Sequence, residues 1–313
     1  MRILITGAGM VATHASRSLV EAGHEVLLFS TTPRPDFVRR VVGVELPFVA
    51  GDVRDAAAVL AAVSAFGPDV VVHTAARIGM AAQADPYVGF EVNVGGTMNV
   101  AEAVRRSGVP RLVHASTLGV HDLSQPQPGP LDESFPVGAG DRMYGATKVA
   151  CEQLLLAHSR APGYELAMLR LAGIYGYGHF SGGSGIGREI IGLVEAARDG
   201  RPGRVGAGMP DRYELVYAKD VARAIRGAVA AVALPFHAYN VGSGVLVARD
   251  DLAAALRRTV PGFRFDTGAE RRPDAFPRLQ PMRLDRSRRD LGYEPAYDLA
   301  AGLADLLAEV SRT

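Results

Sequence analysis

The chain has 313 residues, 48% of them hydrophobic, with 36 glycines and 34 Lys and Arg set against 33 Asp and Glu for a formal charge of +1. That length allows one large core or two unequal ones, and the near-zero charge gives no sequence-wide attraction to nucleic acid or a membrane surface. A single cysteine, Cys151, excludes an internal disulfide framework; no Cys/His cluster has zinc spacing and no apolar run is long enough to span a bilayer, so the expectation is a cytoplasmic protein with a small-molecule substrate and no metal.

Arg2-Ile3-Leu4-Ile5-Thr6 is a β-rich apolar run, followed by Gly7-Ala8-Gly9-Met10-Val11-Ala12 and a helical stretch reaching about Gly23. Strand, glycine turn and helix form the context of a dinucleotide fingerprint. Gly7 and Gly9 let the backbone turn tightly beside a pyrophosphate, whose charge meets the free N–H groups where Met10 and Val11 open the helix. The second strand, Glu25 to Phe29, runs into Ser30-Thr31-Thr32-Pro33-Arg34, without a carboxylate for the adenosine ribose diol. Ser30 and Arg34 would instead suit a 2′-phosphate, so the cofactor is read as NAD(P), NADP leaning over NAD; the other reading of Arg34 is a solvated loop residue.

A third strand is expected over Val44 to Val49. Asp52, followed by Val53, would then accept from the adenine amino group or cap the next helix. Val70 to His73 is a continuous apolar strand running into Thr74-Ala75-Ala76, whose small side chains would let the backbone pass close to the cofactor; His73 is read as a packed turn histidine. A helix is expected from about Gly89 to Ser107, weakened at Gly95-Gly96, with Asn93 bonding a neighbouring backbone group and fixing the site's geometry. The fifth strand, Arg111 to Ala115, ends at Ser116-Thr117. Thr117, with Ser116 as the second choice, would hydrogen-bond a substrate oxygen at the carboxyl end of the sheet.

Tyr144-Gly145-Ala146-Thr147-Lys148 opens another apolar-periodic helix. Residues four apart share a helical face, so the Tyr144 phenol and Lys148 ammonium stand one turn apart. A neighbouring cation is expected to lower the phenol's pKa and fit it for proton transfer near neutral pH. Cys151 falls on nearly the same face and is read as a packing residue. Beyond Arg170 the strand-helix alternation loosens. The glycine-dense stretch from Tyr175 to Gly185 reads as a mobile loop or lid, with His179 as a possible second acid/base. Arg188, Arg212, Arg271 and Arg272 would make an anion-binding wall, each singly also readable as a solvated charge. Asp250 to Thr259 and Leu299 to Val310 read as helices and Phe263 to Phe265 as a short strand, adding a small domain over the crevice.

With these pieces in order, the chain resembles the extended short-chain dehydrogenase/reductase family, also called the NAD-dependent epimerase/dehydratase family. The segments that carry the resemblance are Thr6 to Gly9, Asp52-Val53, His73 to Ala76, Asn93 to Thr97, Ser116-Thr117, Tyr144 to Lys148, Leu169 to Leu171, Ile174 to Gly176, Tyr239 to Gly242 and Leu291 to Pro295. It implies an α/β fold, a Rossmann-type doubly wound parallel sheet with a smaller C-terminal α/β substrate domain. The division expected is 1–170 plus 210–242 for the cofactor and 171–209 plus 243–313 for the substrate, with Leu215-Val216-Tyr217 and Tyr239-Asn240-Val241 returning to the cofactor domain. It further implies Tyr144 as general acid/base, Lys148 lowering its pKa and holding the nicotinamide ribose, Thr117 orienting the substrate hydroxyl, and a homodimer through the helix from Gly89 and the helix bearing Tyr144.

Departures from the family pattern bear on the substrate. The glycine turn is one residue shorter than usual. Leu118-Gly119 stands where sugar-nucleotide 4,6-dehydratases carry an Asp-Glu pair, which argues against dehydration. Gly173 replaces an asparagine whose amide meets a sugar nucleotide's diphosphate; Arg212 matches an arginine that grips that diphosphate, and Arg272 only roughly matches a second. The reading is hydride transfer at a secondary hydroxyl or carbonyl of a sugar, sugar nucleotide or smaller hydroxy compound, by an epimerase or by a dehydrogenase/reductase. The alternative is a non-catalytic NAD(P)-binding regulatory protein on the same fold.

Overall fold

Ile3, Leu4 and Ile5 are sealed from solvent because the strand that carries them is covered on both faces. The computed structural model describes residues 1–138, 142–160, 163–179, 184–206, 210–266 and 279–312. Its first half runs β1 (Arg2–Thr6), α1 (Met10–Glu21), β2 (Glu25–Ser30), α2 (Pro35–Val42), β3 (Phe48–Ala50), α3 (Ala56–Phe66), β4 (Val70–His73), α4 (Gly79–Ala84), α5 (Pro86–Phe90), α6 (Gly96–Arg106), β5 (Arg111–Thr117), α7 (Met143–His158) and β6 (Glu165–Leu171). The second half runs β7 (Gly173–Tyr175), α8 (Gly185–Arg198), β8 (Gly203–Arg204), β9 (Arg212–Tyr217), α9 (Ala218–Ala230), β10 (Ala238–Val241), β11 (Leu246–Ala248), α10 (Arg249–Thr259), β12 (Phe265–Asp266), α11 (Asp285–Leu291) and α12 (Leu299–Ser311).

Seven strands form one sheet in the order β10-β6-β5-β4-β1-β2-β3, every pair parallel. The order reverses at β1, between β2 and β4, which opens a crevice beyond the carboxyl ends of β1 and β4. Strand alternation divides the core. Ile3, Ile5, Val26 and Leu28 pack with Leu19 of α1 and Val221 and Ile225 of α9, whereas Leu4, Leu27 and Phe29 pack with Val63 of α3, Val104 of α6 and Leu155 of α7. A third cluster joins α8, α10 and α12 through Leu193, Leu256 and Leu306 over a small sheet, β11-β9-β7.

Several expectations need correction. The third strand covers Phe48–Ala50 rather than Val44 to Val49, and the second-domain strand is Phe265–Asp266. The expected long helix from Gly89 is α5, a π-helical turn over Glu91–Gly95, and α6. Gly96 serves close packing there, since a Cβ on it would lie 2.6 Å from Val53 Cγ2. Asp55, not Asp52, caps α3, accepting from the Ala57 and Ala58 amides. Tyr239 to Val241 do join the large sheet as β10. Leu215-Val216-Tyr217 do not: β9 pairs with β7 and β11, with Leu215 and Tyr217 in the third cluster and Val216 turned to the first.

Candidate active site

The crevice floor is built by the glycine turn. Gly7 has φ +94°, a left-handed conformation, and a Cβ there would lie 2.9 Å from Thr74 Oγ1 and 3.3 Å from the Ala75 nitrogen, so only glycine lets the ends of β1 and β4 approach. Thr74 donates to the Thr6 carbonyl at 2.7 Å, fixing the same approach. Gly9 precedes α1 in an extended conformation with no side chain capping the helix and no acid in its first turn. The amides beginning at Met10 and Val11 therefore suit the charge of a pyrophosphate, and the small Ala75 and Ala76 keep the backbone accessible beside it.

Other side chains line the end of the crevice where the adenosine is expected. Ser30 is half-buried, and Arg34, also half-buried, stacks its guanidinium 4.6 Å from the Phe37 ring centroid. Asp52 is bound by the Arg54 guanidinium at 2.7 Å and by its amide at 2.9 Å, which holds its pKa below the ordinary carboxylate value. Val53 is buried against Gly96 and can offer a ligand only its backbone.

Lys148 is 2% exposed, its Nζ donating to the Ala115 carbonyl at 2.7 Å and lying 3.4 Å from His114 Nε2. Burial pushes the Lys148 pKa down. Tyr144 stands one helical turn earlier on α7 and is half-buried. The expected lowering of its pKa is not found: burial raises it, and Cys151 and Tyr213 push the same way. The physical reason is that helical spacing sets neighbourhood only, whereas the ammonium is directed at Ala115 and the phenol is desolvated.

Thr117 is half-buried at the end of β5, its Oγ1 accepting from the Gly119 amide at 3.2 Å. That bond occupies a lone pair and leaves the hydroxyl proton for another acceptor. Ser116 points elsewhere. It is 2% exposed and donates to Glu152 Oε1, so Ser116, the second choice for bonding a substrate oxygen, is turned away from that role. Asn93 bonds a neighbouring backbone group, as expected. Its Oδ1 accepts from the Arg77 amide and its Nδ2 donates to the Arg77 carbonyl and Thr147 Oγ1, so its amide ties the tail of β4 to α7 rather than reaching for a cofactor. Cys151 is fully buried with Sγ 3.1 Å from the Asn93 carbonyl. His73 is packed too, between Thr6 Oγ1 and Thr97 Oγ1, its ring 5.3 Å from that of His114.

Among the residues expected to face a substrate, Gly173 opens β7 beneath the Tyr213 ring. His179 Nε2 donates to the Ser184 carbonyl at 2.9 Å and its ring covers Gly187, which commits it to the start of α8; burial lowers its pKa. Arg188 and Arg212 are exposed. Arg271, Arg272 and the centre of the expected lid, 180–183, lie outside the described residues. Sequence reasoning missed His114, Tyr213, the buried Glu152–Arg170 pair and Glu214; a polar residue inside an apolar strand was the available signal for His114 and Glu214.

Glu214 is fully buried, accepting from the Gly244 amide at 2.8 Å and the Met282 amide at 2.6 Å. Burial outweighs these donors and pushes its pKa up from 4.5 to about 7. A carboxyl with a raised folded pKa contributes stability fully below its unfolded pKa and loses it as pH rises through the folded value. Denaturant titrations should therefore show the wild type losing on the order of 3 kcal/mol relative to Glu214→Gln between pH 5 and 8. A pH-independent difference would refute the assignment.

Three comparisons bear on the site. Residues 3–242 match the NAD dependent epimerase/dehydratase family. The chain is 31% identical over 344 residues to a 2-alkyl-3-oxoalkanoate reductase of Stenotrophomonas maltophilia, covering 98% of this chain and 99% of that one. It is 30% identical over 315 residues to a UDP-glucose 4-epimerase of Mycolicibacterium smegmatis, covering 97% and 96%. The structure superimposes on the UDP-glucose 4-epimerase of Thermus thermophilus in complex with NAD with a TM-score of 0.84 at 27% identity, over 99% of each chain. A match that begins in β1, takes in the glycine turn and the Tyr144–Lys148 helix and ends just past β10 leaves one conclusion: the chain is an enzyme of the NAD-dependent epimerase/dehydratase family.

Proposed function

We propose that the chain moves hydride between a nicotinamide cofactor and the secondary hydroxyl or carbonyl carbon of a small molecule, with Tyr144 as general acid/base. The observation that supports this reading is that Lys148, one turn after Tyr144 on α7, bonds the Ala115 carbonyl two residues before Thr117 ends β5, in the same parallel sheet whose β1 leads into the glycine turn. The nicotinamide, when bound, supplies or accepts the hydride. Thr117 donates to the substrate oxygen, and Tyr144 gives that oxygen its proton in reduction and removes it in oxidation. Lys148 offsets the charge left on the phenol. Two of its three donor positions face Ala115 and His114, leaving a third for a ribose hydroxyl. Exchange of Tyr144 for Phe tests the reading: unchanged turnover rejects it.

A dehydrogenase/reductase and a 4-epimerase both fit these groups, and the two relatives above carry one name of each kind. Nucleotide released on denaturing the fresh protein separates them. Near-stoichiometric NAD(H) indicates an epimerase that regenerates its cofactor; a site that is empty until NAD(P)H is added indicates a reductase.

The NADP preference rests on Arg34 and on the missing carboxylate between Ser30 and Arg34. Removing a charge-assisted hydrogen bond costs about 1.5–3 kcal/mol, so Arg34→Ala should raise the Kd for NADPH roughly ten- to a hundredfold with little change for NADH. Equal effects on both would assign the site to NAD. A homodimer is supported by Met80, Tyr87, Phe90 and Leu154, exposed by 69%, 70%, 48% and 40% on α4, α5 and α7. Sedimentation should give half the wild-type mass for Tyr87→Glu/Leu154→Glu; an unchanged mass excludes this face. A cytoplasmic location belongs to the same proposal, in keeping with a chain whose one cysteine leaves no internal disulfide framework.

A further inference from the structure

The position that would meet a sugar nucleotide's diphosphate is filled by an aromatic ring. β7 runs parallel to β9 with Gly173 opposite Leu215, and Tyr213, two residues before Leu215, lays its ring over Gly173. A Cβ on Gly173 would lie 2.6 Å from Tyr213 Cε1, 2.9 Å from Cδ1 and 3.1 Å from the Glu214 carbonyl oxygen. No side chain at 173, an amide included, fits while the ring is there.

The ring is held from several sides. Tyr213 packs against both the first and third apolar clusters, its strand is paired to Val247 of β11, and the next residue, Glu214, is anchored to the Gly244 and Met282 amides. Arg212 precedes Tyr213 in the strand and so projects from the opposite face, exposed to solvent. The arginine expected to grip a diphosphate is therefore turned away from the face that Tyr213 closes.

We infer that Tyr213 is a specificity-determining residue that occupies the diphosphate position beside Gly173 and fits the site to a compact ketone or secondary alcohol bearing no nucleoside diphosphate. This rests on the hydride-transfer reading but is tested without turnover. UDP and UDP-glucose are titrated calorimetrically into the NAD-loaded wild type and into Tyr213→Ala, with a thermal melt confirming that the variant is folded; Tyr213→Leu, which keeps an apolar side chain in the strand, replaces it if it is not. The wild type should give no binding up to about 1 mM, and the variant should gain at least about tenfold in affinity. Micromolar binding of UDP to the wild type overturns the proposal. So does a folded variant that excludes UDP as the wild type does, since another feature then closes the site. Neither result bears on Tyr144, whose role is read from catalysis.

Discussion

Replacing Tyr144 by Phe is expected to lower kcat by about 10²–10⁴-fold, the usual contribution of a positioned general acid/base. The exchange removes one oxygen and little else. Thr147 bonds the backbone carbonyl of Tyr144, not its phenol, and Lys148 is held by Ala115 and His114. Cofactor affinity, read from nicotinamide fluorescence, should therefore stay within about twofold if the ring alone carries the packing. Because burial raises the phenol's pKa, the proton is on Tyr144 throughout the neutral range in the chain by itself. Reduction, which needs the acid form, should be flat across neutral pH and fall only at alkaline pH, whereas oxidation should rise with pH. The variant should lose both limbs. A retained kcat would return the chain to the non-catalytic reading.

What could be read in the sequence was set by local period. The glycine turn, the Tyr144–Lys148 spacing and the burial of Cys151 follow from one strand or one helix face, and each lies where that period puts it. Features that depend on a distant partner were not legible. Alternation says that Ser116 and Thr117 point opposite ways, but only Glu152, thirty-six residues on, decides that Ser116 is the inward one. Helical spacing puts Lys148 beside Tyr144 without saying that its ammonium is taken by Ala115. The apolar run Leu215-Val216-Tyr217 looks like any strand of the large sheet; its pairing with β7 is a matter of tertiary register, and that register brings Tyr213 over Gly173.

The same long-range dependence makes Glu152 a position of large expected effect on stability. Its side chain is fully buried, receives the Arg170 guanidinium at 2.7 Å through Nη2 and at 3.1 Å through Nε, and accepts from Ser116. Arg170, 4% exposed, also donates through Nη1 to the Glu133 carbonyl. Glu152→Ala strands that guanidinium without its counter-charge, and an unpaired buried charge costs about 3–5 kcal/mol. The pair itself is worth far less against an apolar replacement, because both ions were desolvated to form it. Glu152→Met/Arg170→Met should therefore recover most of the loss in urea titrations, an interaction energy that single exchanges would not reveal. Since Glu152 lies one turn beyond Lys148 on α7 and holds the residue next to Thr117, the Ala variant should also lower kcat, and the double variant should restore stability more fully than rate. Should Glu152→Ala unfold within about 1 kcal/mol of the wild type, water or a neighbouring carbonyl must already satisfy Arg170, and the polar tie between α7 and β5 would rest on Lys148 with Ala115 and His114.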